Sequence, residues 1–183
     1  MYRSEGYSRA EIQERRNAFW TLSVLEKHFS LLTGKSCCLP SYDCDVMLPE
    51  VDPTDQLQKF FLARIGLALF QERIYINLYS ANGLRSSEAQ RQVAISRLSV
   101  DLRHWYEEFE EVLLAAKSDL TSAECVPALE VEFMYHNCCI MVHRRSIRQP
   151  DKVQCLKEAR KYLHLLEVLK SVSRVEKDAV LQR

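Results

Sequence analysis

Only 4 glycines and 5 prolines interrupt the 183 residues of this chain, too few turn-formers for a fold built from many short strands. Long segments with an apolar period near 3.6 residues and recognisable caps fill the intervals, and no segment sustains a strand-like alternation. The expectation is an all-α protein, an irregular bundle of about five helices. Its length suits a single domain with a real core.

The first helix is expected from Ser8, with Glu11 at capping-box spacing, to Gly34, a good residue for a left-handed stop. Its apolar positions are Ile12, Phe19, Leu22, Leu25, Phe29 and Leu32. The second is expected to start at Asp52-Pro53 and run to an Asn82-Gly83 stop. Apolar residues surround it, which predicts the central, most buried helix, and Gly66 suggests a close crossing. A third opens at Ser87, paired with Gln90, and presents Val93, Leu98, Leu102, Trp105, Phe109, Val112 and Leu113. Residues 114–126 read as a linker, a fourth helix occupies about 127–148, and a fifth begins at Pro150 with Leu156, Ala159, Leu163 and Leu166 as its apolar side. Periodicity fades near Ser171, so 1–171 reads as the domain and 172–183 as a frayed tail.

Charge excludes one function class. The 25 basic and 25 acidic residues cancel, so no net field draws the chain to a nucleic-acid backbone, and direct DNA contact is not expected. The polar N-terminus lacks the apolar core of a signal peptide, and the apolar run FFLARIGLALF is too short to cross a bilayer. A soluble intracellular protein without membrane contact is the expectation. The 7 cysteines are odd in number and irregularly spaced, which points to reduced thiols.

No residue pattern announces an active site. Cys37, Cys38 and Cys44 lack the paired spacing of zinc ligands, so neither metal nor cofactor is expected in this chain. His136 and Cys139 lie about one helical turn apart, but a thiolate nucleophile needs a depressed pKa and an oriented base, for which there is no further signal. A run of cations, His143 to Arg148, suits a helix C-terminus, while phosphate or carboxylate recognition by Arg144, Arg145 and Arg148 is the functional alternative. Asp43 and Asp45 are short carboxylates suited to loop backbone donors. Tyr75, Tyr79, His136 and His143 are the polar candidates for a ligand pocket, and a closed cavity between the second and fourth helices would favour one.

The opening segment carries a more specific pattern: Glu14, Arg15 and Arg16, then Phe19-Trp20, Leu22, Leu25 and Leu31, then Gly34-Lys35, and an Asp43-x-Asp45 loop closing in Leu48-Pro49. This resembles the regulatory, or middle homology, region of fungal binuclear zinc-cluster transcription factors, the fungal-specific transcription factor domain. The similarity continues through the second helix, LRHWYEEF around Trp105, LEVEFMYHNCCIMVHRR with its His143-Arg144 pair, and CLKEARKYLHLL. Two positions depart from the family, where proline usually stands in place of Ser36 and Arg145.

The resemblance implies a C-terminal half of that domain, without the six-cysteine DNA-binding cluster where zinc would sit. It further implies a nuclear, non-enzymatic role in transcription regulation, through protein contacts or response to a small-molecule effector. A stand-alone helical protein that binds a small hydrophobic metabolite, or catalyses its rearrangement, is the alternative. A half domain should also leave an apolar patch uncovered on the first or second helix, inviting a protein partner or self-association.

Overall fold

A computed structural model describes residues 6–119 and 121–181, with side chains as far as Val172. Five long helices, α1 (Arg9–Thr33), α2 (Gln56–Ile74), α4 (Glu88–Lys117), α5 (Cys125–His143) and α6 (Gln149–Leu181), are joined by a short α3 (Ala81–Arg85). No strand occurs among the described residues. No described helix is long and apolar enough to cross a membrane.

Local chemistry sets most of the boundaries. At Ser8 and again at Ser87 the cap hydroxyl accepts from the third helical amide while that residue's side chain accepts from the cap amide, forming the two capping boxes. Gly34 ends α1 at φ 69°, where an L side chain would be strained. The start of α2 departs from expectation: Asp55, not Asp52, caps it, accepting from the Gln58 amide at 3.1 Å. Asp52 precedes a proline, which disfavours helical geometry, and its carboxylate instead closes a turn onto the Thr54 amide at 2.8 Å.

The expected Asn82-Gly83 stop is likewise not where the helix breaks. From Tyr75 the backbone widens into a π turn ending at Tyr79; Ser80 is then extended and caps α3 through the Gly83 amide. Gly83 therefore lies inside a helix, and no positive φ is needed. A β-carbon there would lie 2.7 Å from the Asn77 carbonyl oxygen, a backbone atom that cannot step aside. Gly83→Ala is expected to destabilise the fold by about 1–3 kcal/mol, read as a lower urea midpoint; an unchanged midpoint would mean that the turn relaxes freely.

The main core joins α1, α2, α4 and α5, including Trp20, Leu31, Phe60, Ile65, Leu98, Leu102, Val131 and Val142. A smaller core pairs α5 with α6 through Cys125, Leu129, Leu165 and Val172. The central element is α5 and not α2: twelve of its nineteen residues are buried, against eight of nineteen for α2. Gly66 does mark a close crossing, since a β-carbon there would lie 2.9 Å from Nε1 of Trp105 on α4.

The helices turn faces to the core that simple periodicity does not pick. On α1, Leu22, Leu25, Phe29 and Leu32 remain about half exposed, whereas Trp20, Val24, Lys27 and Leu31 are buried with Ser23 and Ser30. On α6, Leu156, Leu163 and Leu166 are exposed, and Glu158, Leu165 and Val172 point inward. Val93 on α4 is exposed as well. The linker expected at 114–126 begins only after Lys117, and α5 ends at His143, leaving Arg145 and Arg148 in the following turn. The α6 backbone continues to Leu181; the expected tail, apart from this helical backbone and Val172, lies outside the described residues.

Candidate functional site

Both α4 and α6 pack on α5, and a groove-like cavity of about 1180 Å³ opens between them. Helical spacing brings Glu132, His136, Cys139 and His143 of α5 to its floor, Tyr106 and Lys117 to the α4 wall, and Asp151, Glu158 and Lys161 to the α6 wall. Much of this floor is polar yet buried, which requires internal partners.

Those partners are present. The Tyr106 hydroxyl donates to Oε1 of Glu132 at 3.1 Å, and Lys117 Nζ donates to the same oxygen. Nδ1 of His136 lies 2.5 Å from Oε2 of Glu158, whose other oxygen accepts from Gln154 at 2.7 Å and meets Lys161 at 3.5 Å. Tyr135 stacks on Tyr106 with ring centroids 4.3 Å apart.

Of the four sequence-predicted pocket residues, His136 and His143 line this cavity, and Tyr75 and Tyr79 do not. Tyr75 packs on the main core. Tyr79 bonds the Met141 carbonyl at 2.6 Å under the guanidinium groups of Arg144 and Arg145. The cavity thus lies among α4, α5 and α6 instead of between α2 and α5, the second and fourth helices of the sequence reading. Glu132 and Glu158 escaped the sequence reading because a glutamate on an amphipathic helix ordinarily marks its solvent face.

The environment argues against a thiol nucleophile. Burial, with the Glu158 charge adding to it, pushes the Cys139 thiol up to about 12, the opposite of what an activated cysteine needs. Burial also holds His143 below the ordinary histidine range against the opposing pull of Asp151, whose Oδ1 is 3.7 Å from Nδ1. Burial lowers His28 too. For Glu158, burial pushes the carboxyl up, but the hydrogen bond and charge of His136, with help from Lys161, outweigh it and the net direction is down.

These directions predict a pH profile. A histidine held low in the fold binds a proton more readily once unfolded, so its contribution is intact above 6.5 and shrinks as pH falls from there. The Glu158 contribution is intact above 4.5 and shrinks below it. Urea midpoints should fall in two stages, the first as pH drops below 6.5 and the second as it drops below 4.5, and His143→Gln should flatten part of the upper stage. A profile flat across that range would contradict both environments.

The motif residues form a second constellation, at the seam between α1 and the loop that follows it. Trp20 Nε1 donates to the Met47 carbonyl at 3.0 Å; Arg16 reaches Oε1 of Glu50 at 3.3 Å; Gln13 donates to the Glu50 carbonyl at 2.8 Å. Phe19 meets Trp20 edge to face, and Pro49 is buried. Asp43 and Asp45 are exposed, and Glu26 accepts from the Cys38 amide and Glu72 from that of Ser41. Cys37, Cys38 and Cys44 sit in this loop as free thiols, and no metal-holding group of three such ligands occurs among the described residues.

The opposite side of α1 carries the third feature. Leu22, Leu25, Phe29 and Leu32 follow the i, i+3, i+7, i+10 spacing of a helix–helix seam, and all four are exposed.

No family model matches the chain, and no solved structure matches it. Curated relatives do. The chain is 26% identical over 159 residues to an ABC-transporter-regulating transcription factor of Aspergillus fumigatus, covering 78% of this chain and 17% of that protein. It is 24% identical over 160 residues to a transcriptional regulatory protein of Schizosaccharomyces pombe (80% and 21%), and 24% over 135 residues to a transcription factor of Aspergillus oryzae (73% and 17%). The chain therefore spans 17 to 21% of the length of these relatives. They are fungal transcriptional regulators, and the similarity to them extends well past the α1 motif, in agreement with the resemblance to the fungal transcription factor regulatory region.

Proposed function

We propose that this chain is a transcription-regulatory module of the fungal zinc-cluster type that works in the nucleus through protein contacts, without touching DNA. The observation that carries the reading is the uncovered stripe of Leu22, Leu25, Phe29 and Leu32 on α1. Three leucines and a phenylalanine on one helical line cost solvation free energy while open, and each, being about half exposed, gains roughly 0.7–1.5 kcal/mol when fully covered. A helix of a partner protein, laid along the line, is the natural cover. The balanced charge of the chain supports contact with protein over contact with phosphates. The relatives supply the biological setting, and in it the family's six-cysteine DNA-reading cluster has no counterpart among the irregularly spaced cysteines here.

A reporter assay tests the reading. The chain, placed between a heterologous DNA-binding domain and an activation domain in a fungal host, is expected to shift reporter output several-fold from that of the two domains joined by a neutral linker. Leu25→Glu with Phe29→Glu, both at exposed positions, should return output to the linker value while leaving the helical circular dichroism intact. Equal output from wild type, variant and linker would sink the proposal.

The α4–α6 cavity favours a second reading, binding of a small molecule. Its buried carboxylates do not fit a purely hydrophobic metabolite, and the raised Cys139 thiol supports no nucleophilic step.

A further inference from the structure

The cavity between α4 and α6 carries charge at two depths. Of its four carboxylates, Glu110 and Asp151 stand nearer solvent and two are deep, with Glu132 and Glu158 only 4% and 3% exposed. Their lysine partners stand nearer solvent, the Lys117 side chain at 21% and that of Lys161 at 61%. A molecule entering passes charges of both signs near the mouth and meets the two buried carboxylates at depth.

The carboxylate of Glu132 is incompletely used. Tyr106 and Lys117 both bond Oε1, and Oε2 has no hydrogen bond among the described residues. An ionised carboxylate only accepts, so the group that would complete it is a donor. Lys117 already shows that this carboxylate takes an ammonium. The stacked rings of Tyr106 on α4 and Tyr135 on α5 line the same cavity, and aromatic faces attract cations. A buried carboxylate beside an aromatic wall discriminates against anions and favours an ammonium over a hydroxyl. Farther along, Leu129, Leu165 and Val168 offer an apolar surface, and the volume is ample for a small ligand.

We propose that this cavity is a binding site for a small organic amine with an aromatic or aliphatic body, its ammonium at Oε2 of Glu132 and its body along Leu129, Leu165 and Val168. The site stands apart from the regulatory reading, because its readout is binding to the purified chain and not reporter output.

Three probes of matched shape test it by calorimetric or NMR titration: 2-phenylethylamine, 2-phenylethanol and phenylacetate. The amine is expected to bind saturably and about tenfold or more tighter than the alcohol, with phenylacetate weakest, because the ammonium adds a charge–charge attraction to the hydrogen bond that either donor makes with the carboxylate, and a second carboxylate is repelled. Glu132→Gln keeps the shape and removes the charge, and should weaken the amine by about tenfold or more while leaving the alcohol nearly unchanged. Leu114→Trp, at an exposed position on the rim, should weaken all three by narrowing the mouth, and it decides the matter if Glu132→Gln does not fold. Absence of amine binding, equal binding of the three probes, or a folded Glu132→Gln chain that binds the amine as wild type does would each overturn the assignment.

Discussion

Replacing Lys27 by methionine should cost about 3–5 kcal/mol, although Met is the more hydrophobic residue and the position is fully buried. Lys27 is 1% exposed, on the inner face of α1. Its ammonium donates to the Leu39 carbonyl at 2.5 Å and lies 3.6 Å from Oε2 of Glu72, itself 2% exposed on α2. The methionine would fill the lysine stem's space but leave the Glu72 carboxylate in the core without its cation. Glu72 cannot simply turn to water, because its Oε1 accepts from the Ser41 amide at 2.9 Å and anchors the loop. Adding Glu72→Gln removes the stranded charge while retaining an acceptor for Ser41, so the double variant should recover a large part of the loss. Urea unfolding of the four proteins yields the coupling energy. A Lys27→Met chain as stable as wild type, or a double variant no better than Lys27→Met, would show that the pair does not hold α1 to α2.

Trp20→Ala is the second large effect, also about 3–5 kcal/mol, the usual range for removing a buried large aromatic ring. Trp20 is 7% exposed and bridges two parts of the chain. Its ring fills the α1 side of the main core, and its Nε1 holds the Met47 carbonyl and with it the Leu48-Pro49 end of the loop. Trp20→Phe keeps most of the ring and loses only the donor, so it should cost about 0.5–1.5 kcal/mol. Stability margins are about 5–15 kcal/mol for a domain, so the alanine variant would retain little reserve. Hydrogen exchange near Met47 adds the local readout: faster in both variants, with global stability falling far only in Trp20→Ala. Equal costs for the two substitutions would mean that the hydrogen bond, and not the ring, carries the contribution.

The pair of predictions shows why the same helix was only half legible. Trp20 and Leu31 of the Phe-Trp and Leu motif do point into the core, and Gly34 does end the helix. Yet Leu22 and Leu25 belong to the same motif and lie exposed, while the unremarkable Ser23, Lys27 and Ser30 are buried. Hydrophobicity ranks Phe29 above Lys27 at every position where partners are unknown. The ranking reverses here only because Glu72, forty-five residues away in helix α2, supplies a charge that pairs with the ammonium. On α6 the Glu158–His136 pair does the same, drawing Glu158 inward while Leu156 and Leu163 stay outside.

What the sequence determined by itself was local: an all-α chain, the capping boxes at Ser8 and Ser87, the left-handed stop at Gly34, and the motif that matches fungal transcriptional regulators. Those features depend on residues within a turn or two of one another, so their chemistry is complete in a short stretch. The tertiary structure alone decided which face of each helix is buried, that α5 is the centre, and that Glu132, His136 and Glu158 share one cavity. Burial of a charge is settled by its partner, and these partners come from different helices, α5 and α6 in the case of His136 and Glu158, which no local period encodes.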